Sequence, residues 1–391
     1  MHFETITSMS GMLAIVCVLV WLYLICGRGG FWLGRVRDTG REKPELDRWP
    51  VVVAVIPARN ESQYIAASVT SLLRQEYTGL FSIIVVDDDS SDGTAATATH
   101  AAQVIRDRPL TVVRSKGPPL GWTGKLWALK QGIAAAETLQ PEYLLLTDAD
   151  IVHAPDTLAW LIKQSSAGRF VLTSLMAKLR CESLVERIHV PAFIYFFQML
   201  FPFSRICRPN SNVAGAAGGC MLIRADALAR AGGIASIRSA LIDDCSLAAK
   251  LKAIGPIWLG LTDRVRSIRP YNTLPDIKQM ISRSAYAQLR YSPLLLTAMT
   301  AGMILTFIAS PLLTIFATGV PRFLGIVAWF AMALSFAPTL RFYRQSLLWS
   351  FALPGIALLY LYYTFNSAYQ YVRGRGGQWK GRVQVDAPGV Q

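Results

Sequence analysis

Charge is scarce in this chain: Asp, Glu, Lys and Arg make up 16% of its 391 residues, against 52% hydrophobic. That is too apolar for an ordinary soluble domain and too charged for a bare bundle of membrane helices, so a mixed architecture is expected. Acid is scarcer than base, with 25 Asp and Glu against 39 Lys and Arg and a net charge of +14. Such an excess suits anionic lipid head groups or phosphorylated ligands. Nucleic acid is set aside as a partner, because no Lys/Arg-rich helix or aromatic-basic platform is present and the base gathers beside apolar segments. Cysteine is sparse as well. The six residues Cys17, Cys26, Cys181, Cys207, Cys220 and Cys245 show no Cys-x-x-Cys spacing. That argues against a zinc site and a disulfide framework, and fits a reducing cytosol.

Charge is missing altogether between Glu4 and Arg28, and Met12 to Cys26 is almost wholly apolar. At about 1.5 Å per residue such a stretch crosses a hydrocarbon layer of roughly 30 Å. Residues 1–28 therefore read as an N-terminal transmembrane anchor. A cleaved signal peptide fits less well, since Glu4 and no Lys or Arg precede the run. Arg28, Arg35, Arg37, Arg41 and Lys43 follow it, making 29–48 a basic juxtamembrane linker. The positive-inside tendency then places the next domain in the cytosol.

Beyond Arg290 charge vanishes again from Tyr291 to Pro321, Phe323 to Leu340 and Gln345 to Val372. Residues 291–372 are expected to hold two or three spans. The tail, 373–391, carries Arg373, Arg375, Lys380 and Arg382. Three crossings would put that tail outside, whereas its charge favours the cytosol. The expectation is a cytosolic tail with one stretch re-entrant or interfacial. A further apolar run, Val190 to Ser204, is interrupted by prolines, is short for a span and is flanked by Arg187, His189 and Arg205. It reads as an interfacial segment, with a buried core helix as the alternative.

From about 49 to 290 the pattern is that of a globular α/β domain. Short apolar runs recur at Val51 to Ile56, Phe81 to Val86, Tyr143 to Leu146 and Phe170 to Leu175. Such runs suit strands buried on both faces of a mostly parallel, Rossmann-like sheet. Glu61 to Gln75 and Lys125 to Thr138 are helix-like and complete βαβ units, whose ligands gather at the carboxyl ends of the strands.

Acidic residues stand at those ends. Val85-Val86 runs into Asp87-Asp88-Asp89-Ser90-Ser91-Asp92-Gly93-Thr94, and Tyr143 to Leu146 runs into Thr147-Asp148-Ala149-Asp150. Asp-x-Asp brings two hard oxygen ligands near one point, suited to Mg²⁺ or Mn²⁺ neutralising a diphosphate. Either cluster alone is also what an acidic turn before a helix looks like. Asp243-Asp244 lies among apolar residues, where a carboxylate is costly without a task. It can act as a general base towards a hydroxyl, or cap the helix expected over Cys245 to Ala253. Pro57-Ala-Arg-Asn60-Glu61 forms a strand-to-helix turn in which Asn60 can cap. Gly124-Lys125 offers a cation for a phosphate without being a Walker loop.

In this order the motifs resemble the family 2 glycosyltransferases over roughly Val51 to Tyr291. The resemblance implies a GT-A fold, a nucleotide-sugar donor (uridine being the usual base), a divalent metal (Mg²⁺ or Mn²⁺) and inversion at the anomeric carbon. Residues 119–129, 144–151, 217–222 and 241–245 are similar to the ceramide-glucosyltransferase-like branch, and within it to hopene-associated glycosyltransferases. The acceptor implied is a membrane lipid, such as a hopanoid. Carried over, Pro57, Asn60 and Glu61 shape the nucleotide pocket and Asp87 or Asp88 holds base and ribose. Lys125 and Asp148 sit at the diphosphate, Asp148 and Asp150 hold the metal, and Asp244 is the base beside Asp243. The late Gln/Arg-x-x-Arg-Trp motif is altered to Ala-Gln-Leu-Arg290-Tyr291. Arg290 can still pair with a diphosphate and Tyr291 can line the acceptor pocket, but the change weakens a processive polysaccharide synthase reading. A non-catalytic membrane scaffold or lipid-transfer protein is the rival from another class, and the intact acidic motifs count against it.

Overall fold

The computed structural model describes residues 2–39, 45–379 and 382–383, so Arg41, Lys43 and Lys380 lie outside the described residues. The chain forms two compact units. One comprises Met1–Arg35, Cys181–Ser204 and Tyr271–Gly376, the other Val36–Arg180, Arg205–Pro270 and Gly377–Gln391. The divisions between them fall at 35/36, 180/181, 204/205, 270/271 and 376/377. Part of the expected linker belongs to the α/β unit for a concrete reason. Val36 O accepts from Leu261 N and Asp38 N donates to Leu261 O, which adds this segment to a sheet strand.

The α/β unit is built on β1 (Val52–Ala58), β2 (Phe81–Asp87), β3 (Leu110–Arg114), β4 (Tyr143–Thr147), β5 (Ile151–His153), β6 (Leu172–Lys178), β7 (Cys220–Arg224) and β8 (Ile257–Ser267). Their order in the sheet is β3-β2-β1-β4-β7-β6-β8-β5. The pairs β1–β2, β1–β4, β2–β3 and β6–β8 are parallel, whereas β7 runs antiparallel to β4 and β6, and β5 antiparallel to β8. Every residue of β1 is buried, as a central strand covered on both faces requires. Pro57 is tolerated there because pairing with β4 stops at Val55, so its missing N–H leaves no ladder bond unmade.

Helices α1 (Ser62–Leu73), α2 (Thr94–Ile105), α3 (Gly124–Ala136), α4 (Thr157–Gly168) and α5 (Asp243–Lys252) belong to this unit. Ile65, Val69 and Leu72 of α1 and Leu158, Leu161 and Ile162 of α4 join β-strand side chains in one core. Gly132 lets α3 lie directly on the sheet: a Cβ there would come within 2.5 Å of Val55 and 2.6 Å of Val86.

The helical unit is apolar on a larger scale. Among the described residues five helices are long and apolar enough to cross a membrane: Met9–Gly27, Leu184–Ile206, Pro293–Phe316, Gly319–Phe342 and Leu347–Val372. The second is longer than the run from 190 to 204 suggests, because a capping box of Ser183 and Glu186 starts it earlier and Pro191 is accommodated inside it. It also carries much of this unit's core. Tyr195 Oη is 2.7 Å from Ser335 Oγ, and His189 Nε2 is 3.0 Å from Tyr363 Oη. Trp21 meets Phe307 edge-on at 5.9 Å and donates from its ring nitrogen to Thr306 O. These bonds satisfy polar groups that would otherwise be costly in an apolar interior.

Candidate active site

The parallel strands β1, β2 and β4 end on one edge of the sheet, and their acids end there with them. Asp87 closes β2, while Asp148 follows directly on Thr147, the last residue of β4. Since β7 is antiparallel to β4, the loop before it, including Gly218, arrives at the same edge.

Lys125 stands at the centre. It lies in the first turn of α3, whose N-cap Thr123 accepts from Leu126 N. Its Nζ is 2.9 Å from Asp148 Oδ1 and 3.0 Å from Asp243 Oδ2. Burial opposes the charge on Lys125, yet Asp148 and Asp243 outweigh it and raise the ammonium pKa above its usual range. The Asp148 carboxyl is raised in turn, chiefly by burial, with Lys125 pulling the other way. Asp244 is reached from two sides by backbone donors: Gly218 N to Oδ2 at 3.0 Å and Cys245 N to Oδ1 at 2.7 Å. Burial and the neighbouring Asp243 push its carboxyl up to about 6 despite those bonds and Lys125. A Cβ on Gly218 would stand 3.5 Å from both Asp244 Oδ2 and Lys125 Nζ, which locates the base and the cation around one point. The alternative of a capping role does not hold for Asp243-Asp244. Both residues lie inside the first turn of α5, and the N-cap is Ile242.

Asp150, the second acid of the Asp-x-Asp, is held elsewhere. Its Oδ2 accepts from Arg269 Nε at 2.7 Å and from Ser267 Oγ at 3.4 Å. Arg269 Nη2 is 2.7 Å from both carboxylate oxygens of Glu61, and the guanidinium lies over the Tyr64 ring at 4.7 Å. Glu61 is therefore turned towards Arg269, a partner that sequence reasoning missed. The only available signal was a basic residue two positions beyond the end of β8. Asn60 does not cap α1 as expected. It sits in the left-handed region at φ +50° and its Oδ1 accepts from Ser91 N, while Asp92 Oδ2 accepts from Ser62 N at the start of α1. These bonds tie the turn after β1 to the acidic loop after β2. Thr94 and Ser62 bring the Asp92 carboxyl down to about 2 against the opposing effect of burial. Asp87 and Asp88 are buried; Asp87 Oδ1 accepts from Ser90 N, and Arg59 lies 3.8 Å from Asp88 Oδ2. A second unforeseen pair steadies β4. Thr147 Oγ1 donates to Gly219 O and meets His153 Nε2 at 3.0 Å, and burial pushes the His153 pKa down to about 4.

Arg290 and Tyr291 belong to the helical unit, at consecutive φ values of +52° and +55°. There Tyr291 stacks on Tyr371 with ring centroids 4.3 Å apart.

The donor set suits a hard divalent cation. Asp148 and Asp150, with one residue between them, are the carboxylates that could hold it, and such an ion would complete its shell with phosphate and water oxygens. Among the described residues no group of three or more His, Cys, Asp or Glu gathers into an all-protein cage.

Residues 53–232 match the family model described as Glycosyl transferase family 2. Over that segment the chain is similar to the family 2 glycosyltransferases. It is 28% identical over 156 residues to an N-acetylglucosaminyltransferase of Mesorhizobium japonicum, covering 39% of this chain and 35% of that one. It is 34% identical over 119 residues to the uncharacterized glycosyltransferase YaiP of Escherichia coli, covering 30% and 27%. The chain thus spans about a third of the length of these curated relatives. In fold it is similar to a mannosyltransferase of Pyrobaculum calidifontis solved with GDP-Man and Mn²⁺. That likeness has a TM-score of 0.54 at 18% identity and covers 92% of this chain and 98% of the other. The mixed sheet with its acidic edge is accordingly a GT-A fold.

Proposed function

We propose that this protein is an inverting glycosyltransferase that moves a sugar from a nucleoside-diphosphate sugar, with uridine the expected base, onto a membrane lipid. The observation that carries the reading is the bridge made by Lys125 between Asp148 and Asp243, beside Asp244. It unites motifs far apart in the chain: the Gly-Lys turn, the Asp-x-Asp and the acidic pair. Their separate alternatives as turns and caps do not require them to meet.

In this reading Asp244 takes the proton from the acceptor hydroxyl. Burial and Asp243 hold its carboxyl near 6, so at neutral pH it is ionised yet a stronger base than an ordinary aspartate. Lys125 supplies positive charge where the leaving diphosphate develops negative charge, in a buried setting where such an interaction is strongest. Asp148 and Asp150 would hold Mg²⁺ or Mn²⁺, which when bound neutralises the diphosphate. Pro57 in β1, Asn60 in the turn that follows, Asp87 at the end of β2 and Asp88 just beyond it are assigned to the nucleotide, while Arg290 and Tyr291 keep the diphosphate and acceptor roles that the resemblance implies.

The lipid acceptor is supported by the helices long and apolar enough to cross a membrane in the same chain. A hopanoid is the acceptor favoured by the similarity of 119–129, 144–151, 217–222 and 241–245. The basic residues after the first apolar helix favour a cytosolic α/β unit, and the resemblance to hopene-associated glycosyltransferases favours a bacterial inner membrane. The test is transfer by the detergent-purified chain, given Mn²⁺ or Mg²⁺, a panel of UDP- and GDP-sugars and a total lipid extract. A metal-dependent glycolipid seen by mass spectrometry, and lost in Asp244→Asn, is the expected result. Donor binding by a folded protein without turnover on any acceptor would refute it.

A further inference from the structure

The two carboxylates of the Asp-x-Asp are each held by a cation of the chain itself, and the two cations are compensated differently. Lys125 is shared with Asp243, beside the proposed base. Arg269 has Glu61, a residue whose carboxylate is 9% exposed and whose two oxygens both face the same guanidinium nitrogen at 2.7 Å. The same guanidinium reaches Asp150 through Nε, also at 2.7 Å, and its flat face is covered by Tyr64. The backbone fixes the geometry from both ends. Ile268 N donates to Asp150 O, and Glu61 N donates to Thr94 Oγ1.

Resting on the reading of Asp150 as a metal ligand, we infer that Glu61 and Arg269 are positioning residues that set how strongly Asp150 binds a divalent cation. Arg269 occupies Asp150 Oδ2 and competes with an incoming cation for that oxygen. Glu61 offsets the guanidinium charge, weakening this competition, and gives Arg269 a seat on which it stays when Asp150 turns to the metal. Glu61 therefore acts through Arg269 and not on the nucleotide, which separates it from Pro57 and Asn60 in the same turn. Two like-signed charges so close to one carboxylate repel each other strongly at the low effective dielectric of a partly buried site.

The arrangement gives the two partners effects of opposite sign. Glu61→Gln removes the carboxylate that offsets the Arg269 charge and should weaken Mn²⁺ binding by about tenfold, the size usual for a residue that orients a metal ligand. Arg269→Gln removes the competitor and leaves Glu61 negative, so Mn²⁺ should bind more tightly than in the unaltered chain. The double variant, with both charges gone and two amides facing each other, should return close to the unaltered affinity. The experiment is Mn²⁺ titration of the detergent-purified full chain with UDP and, separately, GDP present, read by the electron paramagnetic resonance of unbound Mn²⁺. Thermal melting of each variant checks the fold. Asp150→Asn is the control: a chain that binds Mn²⁺ equally well with and without it refutes the metal assignment itself. If Asp150→Asn abolishes binding but both single variants weaken it, Glu61 and Arg269 merely support the fold and the inference is overturned.

Discussion

Replacing Asp243 with Asn should move the acid limb of the pH–rate profile to lower pH, and the structure gives the sign. Burial and the Asp243 charge raise the Asp244 carboxyl to about 6 from 3.8, whereas Lys125 lowers it. A displacement of that size corresponds to roughly 3 kcal/mol favouring the protonated form. A base with this value loses its active form as pH falls through about 6, so kcat/KM should drop about tenfold per pH unit below it. Asp243→Asn removes a repelling charge and shifts the limb down; Lys125→Met removes an attracting one and shifts it up. Asp244→Asn abolishes the limb and lowers the rate by roughly 10²–10⁴, the usual contribution of a general base. Initial rates of nucleotide release between about pH 5 and 8 measure all of these. A limb that stays put in Asp243→Asn, or moves to higher pH, would refute the assignment of Asp244. Stability provides an independent check. The folded pKa lies above the unfolded value, so the stabilising contribution is full below about 3.8 and is lost as pH rises through about 6. The unaltered chain should therefore lose stability as pH rises from about 4 to 7, and Asp244→Asn, whose amide does not titrate, should lose less over that range.

Other outcomes are expected from the same geometry. Chelation by EDTA should stop transfer, with Mn²⁺ or Mg²⁺ restoring it; Asp148→Asn should resist that restoration, as metal titrations of the rate will reveal. Lys125→Met should lower kcat by about 10²–10³, the loss typical when one charge-stabilising donor is removed. Transfer from a donor with a better leaving group should be less affected, and equal losses for both donors would count against its role at the diphosphate. Gly132→Ala would press a methyl against Val55 and Val86 and should cost about 1–3 kcal/mol, measured as a lower melting temperature. An unchanged melt would mean that α3 stands farther from the sheet than 2.5 Å allows.

Much of this protein is local in origin, and that part was legible in one dimension. Val51 to Ile56 and Phe81 to Val86 are apolar runs of strand length, because a central strand covered on both faces needs apolar residues at every position. The structure places β1 and β2 there, within two residues at the ends. The long uncharged stretches likewise announce long apolar helices, since composition alone decides that property. Acids at strand ends are visible for a similar reason: Asp87 closes its strand and Asp148 follows directly on its own.

What a side chain touches across the fold is another matter. Arg269 is 208 positions from Glu61 and 119 from Asp150, and no spacing rule links them. The linker segment at Val36 to Asp38 looked like a basic tether, yet it adds to a sheet strand because Leu261 offers it unpaired backbone groups. Asn60 had the right chemistry for a helix cap, but its positive φ aims it at Ser91, where two loops must be tied. The sequence by itself determined which residues could be strands, long apolar helices and charged strand ends, because periodicity and composition act over a few residues. Only the tertiary structure decided which cation stands beside which carboxylate, because the fields that raise Asp244 and hold Asp150 arise from groups brought together by the sheet.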